Sequence, residues 1–242
     1  MVIDETINLI RELYREHLRK ITVERLIAGI FFTGVKLSNG LAGISYTPTA
    51  DIHQEGGCIH INGVPREPYH FKGLPVSDLL DLKEEGMLLR TVQIVILNAL
   101  SVQYFNGNHY QVIEERDPMD LLDLRRLQNV AMVGAIPPFL KRLKKEPQLK
   151  LHLIERKKDS LTEDEIRLLV PEERITDILP RCDAVIITGA AVANGTMETL
   201  LDLAKEDATV VVAGPTAGFL PDALWARGVS IVSTVIVSDP DR

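Results

Sequence analysis

The chain has 242 residues, of which 45% are hydrophobic, and its 34 acidic against 27 basic side chains give a net charge of −7 at pH 7. This length suits one large domain or two smaller ones, and the hydrophobic content suffices for ordinary cores. The acidic balance argues against a nucleic-acid partner bound through a broad basic face, because neutralisation of phosphates dominates such binding. We therefore expect a globular protein, with a homo-oligomer as the usual arrangement of soluble enzymes.

Cysteine usage and apolar runs bear on the cellular compartment. The two cysteines, Cys58 and Cys182, lie far apart and outside any Cys-x-x-Cys pattern, so they predict neither a disulfide framework nor a zinc ribbon. The first five residues are acidic where a signal peptide is basic, and no apolar run is expected to reach the ~18 residues of a membrane span. These features favour a cytoplasmic protein with no membrane partner.

The first part of the chain alternates between helical and extended patterns. Apolar residues recur every three or four positions over residues 3–19, which predicts an amphipathic helix. Residues 25–46 read as strands with a tight hairpin at Asn39-Gly40, since this dipeptide readily adopts positive φ angles. A second Asn-Gly pair at 62–63 predicts another pair of antiparallel strands.

Two helices and a connection follow. Ser77 is expected to cap a short helix that reaches about Glu85, and residues 87–105 predict a longer helix that is apolar on nearly all sides and therefore buried. The polar stretch from 106 to about 128, rich in Asn, Gly and Pro signals, is the expected connection between two domains.

The rest of the chain consists of short β-branched runs separated by helical segments. This rhythm predicts a Rossmann-like parallel α/β sheet. The predicted strands are 129–134, 149–155, 184–188, 208–214 and 229–237.

Ligands of such sheets bind outside the carboxyl ends of the strands, so the residues that follow each run are the candidate ligand-binding groups. We expect the backbone N–H groups of Gly189, Gly195 and Thr196 to hold an anionic or carbonyl group at a helix N-terminus. Glu155 lies at about the 20-residue spacing at which an acid meets ribose hydroxyls. The candidates at these ends are Gly134, Glu155, Thr188, Gly189, Asn194, Gly195, Thr196, Gly214, Pro215 and Thr216.

Alternatives stay open for two of these candidates. Glu155 could equally be a surface acid paired with Arg156 or Lys157, and Asn194 could be a helix cap. The loop that starts at Gly134 lacks Gly-x-Gly-x-x-Gly and carries two prolines, which remove N–H donors. NAD is therefore disfavoured, and S-adenosylmethionine has support only from Glu155.

Metal ligation and the first domain supply further candidates. Cys58 and His60 alternate along a strand and point to one face, with His53 before them, but a half-buried cysteine and a hairpin histidine are the simpler interpretation. Buried polar residues are hydrogen-bonded, so Asn98, inside an apolar helix, either ties the core or faces a cleft. Thr33 and Lys36 flank a strand glycine and are expected to close the site together with Asn98.

Several segments together resemble the heavy-metal-chelation family of unknown function, in which an enolase amino-terminal-like α+β domain precedes a Rossmann-like domain. The resemblance implies domains at 1–110 and 111–242 and a ligand site between them. It also implies condensation or hydrolysis of a small molecule on the way to a pterin, flavin or siderophore-like metal chelator. The segments are 29–35, 40–42, 98–101, 133–137, 154–155, 179–189, 192–196 and 214–216.

Three functions remain open on these grounds. The first is an enzyme of chelator metabolism, of the hydrolase, condensing or transferase type, although no residue stands out as nucleophile or base. The second is a non-catalytic protein that binds or senses a metal or a metal chelate, which the missing nucleophile favours. The third is a methyltransferase that uses S-adenosylmethionine.

Overall fold

The computed structural model describes residues 1–54, 59–61, 64–66, 68–83, 86–105 and 109–241. Cys58, the second Asn-Gly pair and Glu85 lie outside these residues, as does the side chain of His60. We call residues 1–105 the first half of the chain and residues 109–241 the second half.

The first half forms an antiparallel sheet packed on helices. Its helices are α1 (Val2–Tyr14), α2 (Thr49–Gln54), α3 (Val76–Asp81) and α4 (Met87–Phe105), with 3-10 turns at Arg15–Lys20 and Pro68–Phe71. Its sheet consists of β1 (Val23–Ala28), β2 (Phe32–Leu37) and β3 (Ala42–Tyr46) in that order, and β4 (Ile59–Ile61) pairs with β5 (Val64–Arg66) as a separate ladder.

The helix predicted at the start of the chain is confirmed, with an earlier end. α1 turns its buried isoleucines toward the core and stops at Tyr14 instead of residue 19, because Arg15 adopts a φ of 49° and the chain tightens into a 3-10 turn. The β2–β3 hairpin is also confirmed: Gly40 has a φ of 83°, and Asn39 Oδ1 accepts the N–H of Leu41 at 3.2 Å.

The predicted cap of α3 is wrong. The helix begins at Val76, and its N-cap position is Pro75, two residues before Ser77; the φ of −60° at Pro75 leads the chain directly into the first turn. The hydroxyl of Ser77 instead donates to Asp78. α3 ends at Asp81, short of the predicted end.

Helix α4 has the predicted bounds and is the central helix of the first half. By length and composition alone it could cross a membrane, contrary to the expectation from the sequence, but 72% of its most apolar window is buried inside the protein. It packs against β2 and β3 on one side and against elements of the second half on another. α4 is therefore mostly a core helix of the fold.

The second half is a parallel sheet with helices between its strands. The strands are β6 (Asn129–Val133), β7 (Lys150–Ile154), β8 (Ala184–Thr188), β9 (Thr209–Ala213) and β10 (Val229–Ser233). The helices are α5 (Pro137–Leu143), α6 (Glu163–Ile166), α7 (Ile175–Ile178), α8 (Ala190–Ala193), α9 (Met197–Leu203) and α10 (Asp222–Trp225), with 3-10 turns at Pro118–Leu121, Lys158–Ser160, Glu172–Arg174, Leu179–Arg181 and Pro215–Ala217.

The strand order β10-β9-β8-β6-β7 confirms the Rossmann-like parallel sheet. The chain moves from β6 to β7 on one side and returns to β8 on the other, so the topological switch lies between β6 and β8. β10 ends at Ser233 and not at Val237 as predicted. Its partner β9 ends at Ala213, opposite Ser233, and the chain turns away at Gly214, so nothing extends the ladder.

The two halves meet at the carboxyl end of the parallel sheet. The turn at Pro215–Ala217, which follows β9, lies against β3 and α4, and α8 packs on α4. We call the contact of β3 and α4 with residues 214–218 and Thr234 the seam. The sheet end at which ligands of this fold class bind therefore faces the first half.

Candidate ligand site at the seam

Asn98 ties three elements together at the seam. It lies on α4, is 4% exposed, and its Nδ2 donates to the carbonyl of Ile44 on β3 at 2.7 Å. The same Nδ2 donates to the carbonyl of Pro215 at 2.9 Å. Both N–H bonds of the buried amide therefore have acceptors, as buried donors require.

The other half of the amide has no partner. Asn98 Oδ1 and Thr234 Oγ1 are buried side-chain oxygens without a hydrogen bond to any described residue. The two residues border Gly218, where a Cβ would lie 3.1 Å from Asn98 Cγ and 3.2 Å from Thr234 Oγ1. An unpaired buried acceptor destabilises a protein by ~1–3 kcal/mol. These two atoms therefore require a donor from a ligand or an ordered water.

Thr216 and Thr33 are committed to the protein itself. Thr216 Oγ1 accepts the N–H of Tyr46 at 3.2 Å and the hydroxyl of Ser45 at 3.3 Å, so it fastens the turn after β9 to β3. Thr33 Oγ1 shares a hydrogen bond of 2.9 Å with Thr47 Oγ1 and is fully buried. Thr216 therefore holds the seam closed, whereas Thr33 ties β2 to Thr47 within the first half.

Glu155 closes the loops after β6 and β7 onto each other. Its Oε2 accepts the N–H of Ala135 at 2.7 Å, and its Oε1 accepts the N–H of Lys157 at 2.7 Å. The carboxylate thus binds backbone groups of both loops. Each oxygen keeps a second acceptor site, so the half-buried carboxylate can still receive a ligand donor.

Tyr46 and Lys157 form a contact between the two halves beside Glu155. Lys157 Nζ donates to the Tyr46 hydroxyl at 2.8 Å and lies 5.6 Å from the ring centroid. The hydrogen bond with Tyr46 is the main reason why the pKa of Lys157 is raised. The hydroxyl oxygen thus accepts from an ammonium group, which leaves the phenol proton to point elsewhere.

Four glycine and threonine candidates shape the strand ends. Gly134 has a φ of 83°, and a Cβ there would lie 2.4 Å from Thr188 Cγ2, so glycine allows the β6 loop to touch the end of β8 at the switch. The N–H groups of Gly189 and Gly214 donate to the carbonyls of neighbouring strands at 2.7 and 2.9 Å. They extend the strand ladders and do not face a ligand.

The predicted anion cradle before α9 is wrong. Asn194 Oδ1 accepts the N–H and the hydroxyl of Thr196, at 3.1 and 2.7 Å. The N–H of Gly195 donates to the carbonyl of Val192 at 3.4 Å. The guanidinium of Arg90 covers this turn, since a Cβ on Gly195 would lie 2.7 Å from it. All three N–H groups assigned to a ligand therefore donate within the chain.

Lys36 does not close the site together with Thr33. The two residues lie on β2 at positions of opposite parity, so their side chains leave opposite faces of the sheet. Lys36 Nζ pairs with Glu24 at 3.0 Å and with Asp241 at 2.6 Å. These two carboxylates raise the pKa of Lys36 and hold its ammonium away from the seam.

The structure thus brings some predicted residues together and adds others. Asn98, Glu155 and Pro215 lie at or beside the seam, and the missed residues are Tyr46, Lys157, Gly218 and Thr234. Thr234 directly follows β10. The search for residues after each strand would have found it if the end of β10 had been predicted correctly.

Comparisons with known proteins agree with this architecture. Two family models match, DUF364 over residues 117–242 and DUF4213 over residues 11–101, and both are described as "Putative heavy-metal chelation". The chain belongs to this heavy-metal-chelation family. An uncharacterized protein of Methanocaldococcus jannaschii is 30% identical over 168 residues, which are 69% of this chain and 60% of that protein.

Two solved structures of the heavy-metal-chelation family share the fold. A protein of unknown function from Pyrococcus horikoshii superposes with a TM-score of 0.73 at 22% identity, covering 96% of this chain and 87% of that one. One from Desulfitobacterium hafniense gives a TM-score of 0.64 at 19% identity, covering 95% and 87%. The identities are low, so these two matches establish the fold alone.

The family description raises the question of direct metal ligation. Among the described residues, no three His, Cys, Asp or Glu side chains lie close enough together to hold a metal ion. His53 is exposed on α2, whereas Cys58 and the side chain of His60 are outside the described part of the chain. Cys182 is buried, and burial raises the pKa of its thiol to about 11, which disfavours the thiolate that metals bind.

Proposed function

We propose that this member of the heavy-metal-chelation family binds a small polar molecule at the seam and acts on it by condensation or hydrolysis. The molecule belongs to the metabolism of a pterin, flavin or siderophore-like metal chelator. The proposal treats residues 1–110 and 111–242 as two domains that share one site, in a cytoplasmic protein. The metal would be held by the chelator's own ligand atoms.

The unpaired Asn98 Oδ1 carries this proposal. This oxygen and Thr234 Oγ1 are both buried without a partner among the described residues, and Asn98 Cγ and Thr234 Oγ1 both lie close to Gly218. A ligand that fits must present an N–H or O–H to the amide oxygen and a polar atom to the hydroxyl. Fused heterocycles with neighbouring ring N–H and carbonyl groups offer this pattern on one edge.

Tyr46 is the candidate proton donor. Its hydroxyl oxygen accepts from the Lys157 ammonium, so the phenol O–H points away from Lys157 and can donate to a ligand. Condensation and hydrolysis both require a proton for the leaving group. Tyr46 would supply this proton, while Glu155 would receive a ligand N–H or O–H on its free acceptor sites.

A second candidate function is a non-catalytic carrier or sensor of a metal chelate. It is favoured by the same geometry, because the described residues around Asn98 include no cysteine, histidine or serine–base pair that would act as a nucleophile. Turnover separates the two candidates, since a carrier binds the molecule without changing its mass.

Native mass spectrometry of protein purified without chelators tests the proposal. The test variant is Gly218→Ala, whose methyl group would occupy the space beside Asn98 and Thr234. The matched control is Gly34→Ala, where the nearest atom to the new methyl group is 3.7 Å away. Fluorescence titration with pterin and with riboflavin provides a measurement that does not depend on co-purification.

Loss of a co-purified organic mass, or of pterin or riboflavin binding, in Gly218→Ala alone would support the seam as the site. Equal binding by Gly218→Ala and the natural chain would refute it. A mass excess that matches a metal ion without any organic molecule would contradict the chelator hypothesis and favour direct ligation.

A further inference from the structure

A cavity lies beside the starts of β6 and β7, at the β7 edge of the parallel sheet. Its volume is about 370 Å³, and its lining includes Asn129 and Lys150, the first residues of β6 and β7. The loops that follow β6 and β7, which Glu155 joins, lie at the other ends of the same strands, roughly 16 Å away for five residues of strand. The cavity is therefore separate from the proposed chelator site.

Cations dominate the lining of this cavity. Lys150, Arg167, Arg174 and Arg181 all line it, and Asp177 is the one carboxylate among its described lining residues. Within the described part of the chain, none of the four cations forms an ion pair. This concentration of unpaired positive charge stands out in a chain with a net charge of −7.

The positive charges also act on a histidine that lines the cavity. His152 also lines it, and the pKa of His152 is lowered by burial first and then by the charges of Lys150 and Arg174. After burial, the positive charges of Lys150 and Arg174 are the further causes, so both cations act on this point of the cavity. A bound anion would offset their charge.

The backbone fixes the arginines around the cavity. The segment after Arg167 runs beside the edge strand β7, with the N–H of Leu153 donating to Leu168 at 2.9 Å and the N–H of Val170 donating to Leu153 at 2.8 Å. Arg174 and Arg181 lie in the helical turns that lead to β8. Leu168 and Ile178 add apolar surface between the charged groups.

We propose that this basic cavity, lined by Lys150, Arg167, Arg174 and Arg181, binds the phosphate ester of a small organic molecule. Arginine presents a planar fork of N–H groups that matches phosphate oxygens, and three arginines line this cavity. The volume lies near the lower end of the ~300–1,000 Å³ found for small-molecule pockets. The concave shape and the apolar wall favour a small ester over the backbone of a nucleic acid.

Calorimetric titration of the full chain with phenyl phosphate and with inorganic phosphate tests this inference. We expect phenyl phosphate to bind more tightly than inorganic phosphate, because the apolar wall contacts the ring. The double variant Arg167→Gln, Arg174→Gln should weaken phenyl phosphate binding by about tenfold or more, equivalent to ~1.4 kcal/mol. The control Lys141→Gln, Lys145→Gln removes the same charge from exposed positions outside the cavity and should leave affinity unchanged.

Local and competitive measurements complete the test. The ring resonances of His152 should shift on addition of phenyl phosphate in the natural chain and not in the arginine double variant. Absence of binding at millimolar phenyl phosphate would overturn the proposal, as would equal losses in both double variants. Displacement of phenyl phosphate by a short DNA duplex, with a steep dependence on salt, would also overturn it in favour of a nucleic-acid surface.

Discussion

Replacing Thr234 with valine tests whether the hydroxyl of Thr234 lacks a hydrogen-bond partner within the protein. Thr234 Oγ1 is buried without a hydrogen bond in the described protein, and such a group destabilises the fold by ~1–3 kcal/mol. Valine keeps the branched shape and removes the hydroxyl. We expect Thr234→Val to raise the free energy of unfolding by about 1 kcal/mol, and each kcal/mol raises Tm by ~2–4 °C at this chain length.

The same substitution at Thr33 is the control with the opposite sign. Thr33 Oγ1 lies 2.9 Å from Thr47 Oγ1, so Thr33→Val leaves the Thr47 hydroxyl unpaired and should lower the free energy of unfolding by ~1–3 kcal/mol. Urea unfolding of protein freed of bound molecules by refolding measures both changes. If Thr234→Val is as destabilising as Thr33→Val, then Thr234 has a partner in the protein and the reasoning is refuted.

Three further predictions concern single residues. Gly134→Ala should lower the free energy of unfolding by ~2–4 kcal/mol, because alanine is strained at a left-handed φ and its methyl group overpacks the site. Adding Thr188→Ser should restore part of this stability, since serine lacks the methyl group with which the alanine clashes. Urea unfolding of the double variant without any recovery would contradict the clash. Because burial raises the pKa of Cys182 to about 11, a Cys58→Ser variant should react with a thiol reagent at mildly alkaline pH only after unfolding, and prompt labelling of native protein would contradict this. Hydrogen bonds from backbone N–H groups at the start of β6 are the main cause that lowers the pKa of Asp183. The carboxylate therefore stabilises the fold above the unfolded pKa of ~3.9, and this stabilisation is lost as the pH falls through the lower folded pKa. Asp183→Asn should reduce the loss of stability at acid pH, and an unchanged acid dependence would count against this role of Asp183.

Periodicity predicted most elements because burial on one face decides them. The apolar runs of the sequence coincide with α4 and with the core strands of the parallel sheet. The errors are at element ends, where a local pattern carries no information about neighbours. β10 ends because β9 turns away, and α1 ends because Arg15 takes a positive φ, which few residues other than glycine and asparagine do.

The candidate site was predicted in part for a related reason. Strand ends can be identified from the sequence, so Glu155 was identified, but whether an N–H at a strand end is free depends on the carbonyl beside it in the sheet. Gly189 shows this, since its N–H extends the ladder to β9. The Tyr46–Lys157 contact joins residues 111 positions apart, and no spacing rule connects two side chains at that separation.

Helix α4 has a consequence for the order of events during synthesis. On one side α4 packs against β2 and β3, which precede it in the chain. On another side it packs against α8 and the turn at Pro215–Ala217, which are synthesised only after most of the parallel sheet. While the ribosome completes those residues, one side of a helix apolar enough to resemble a membrane span faces water. The incomplete chain therefore exposes an apolar surface that favours aggregation until those residues emerge and pack on α4.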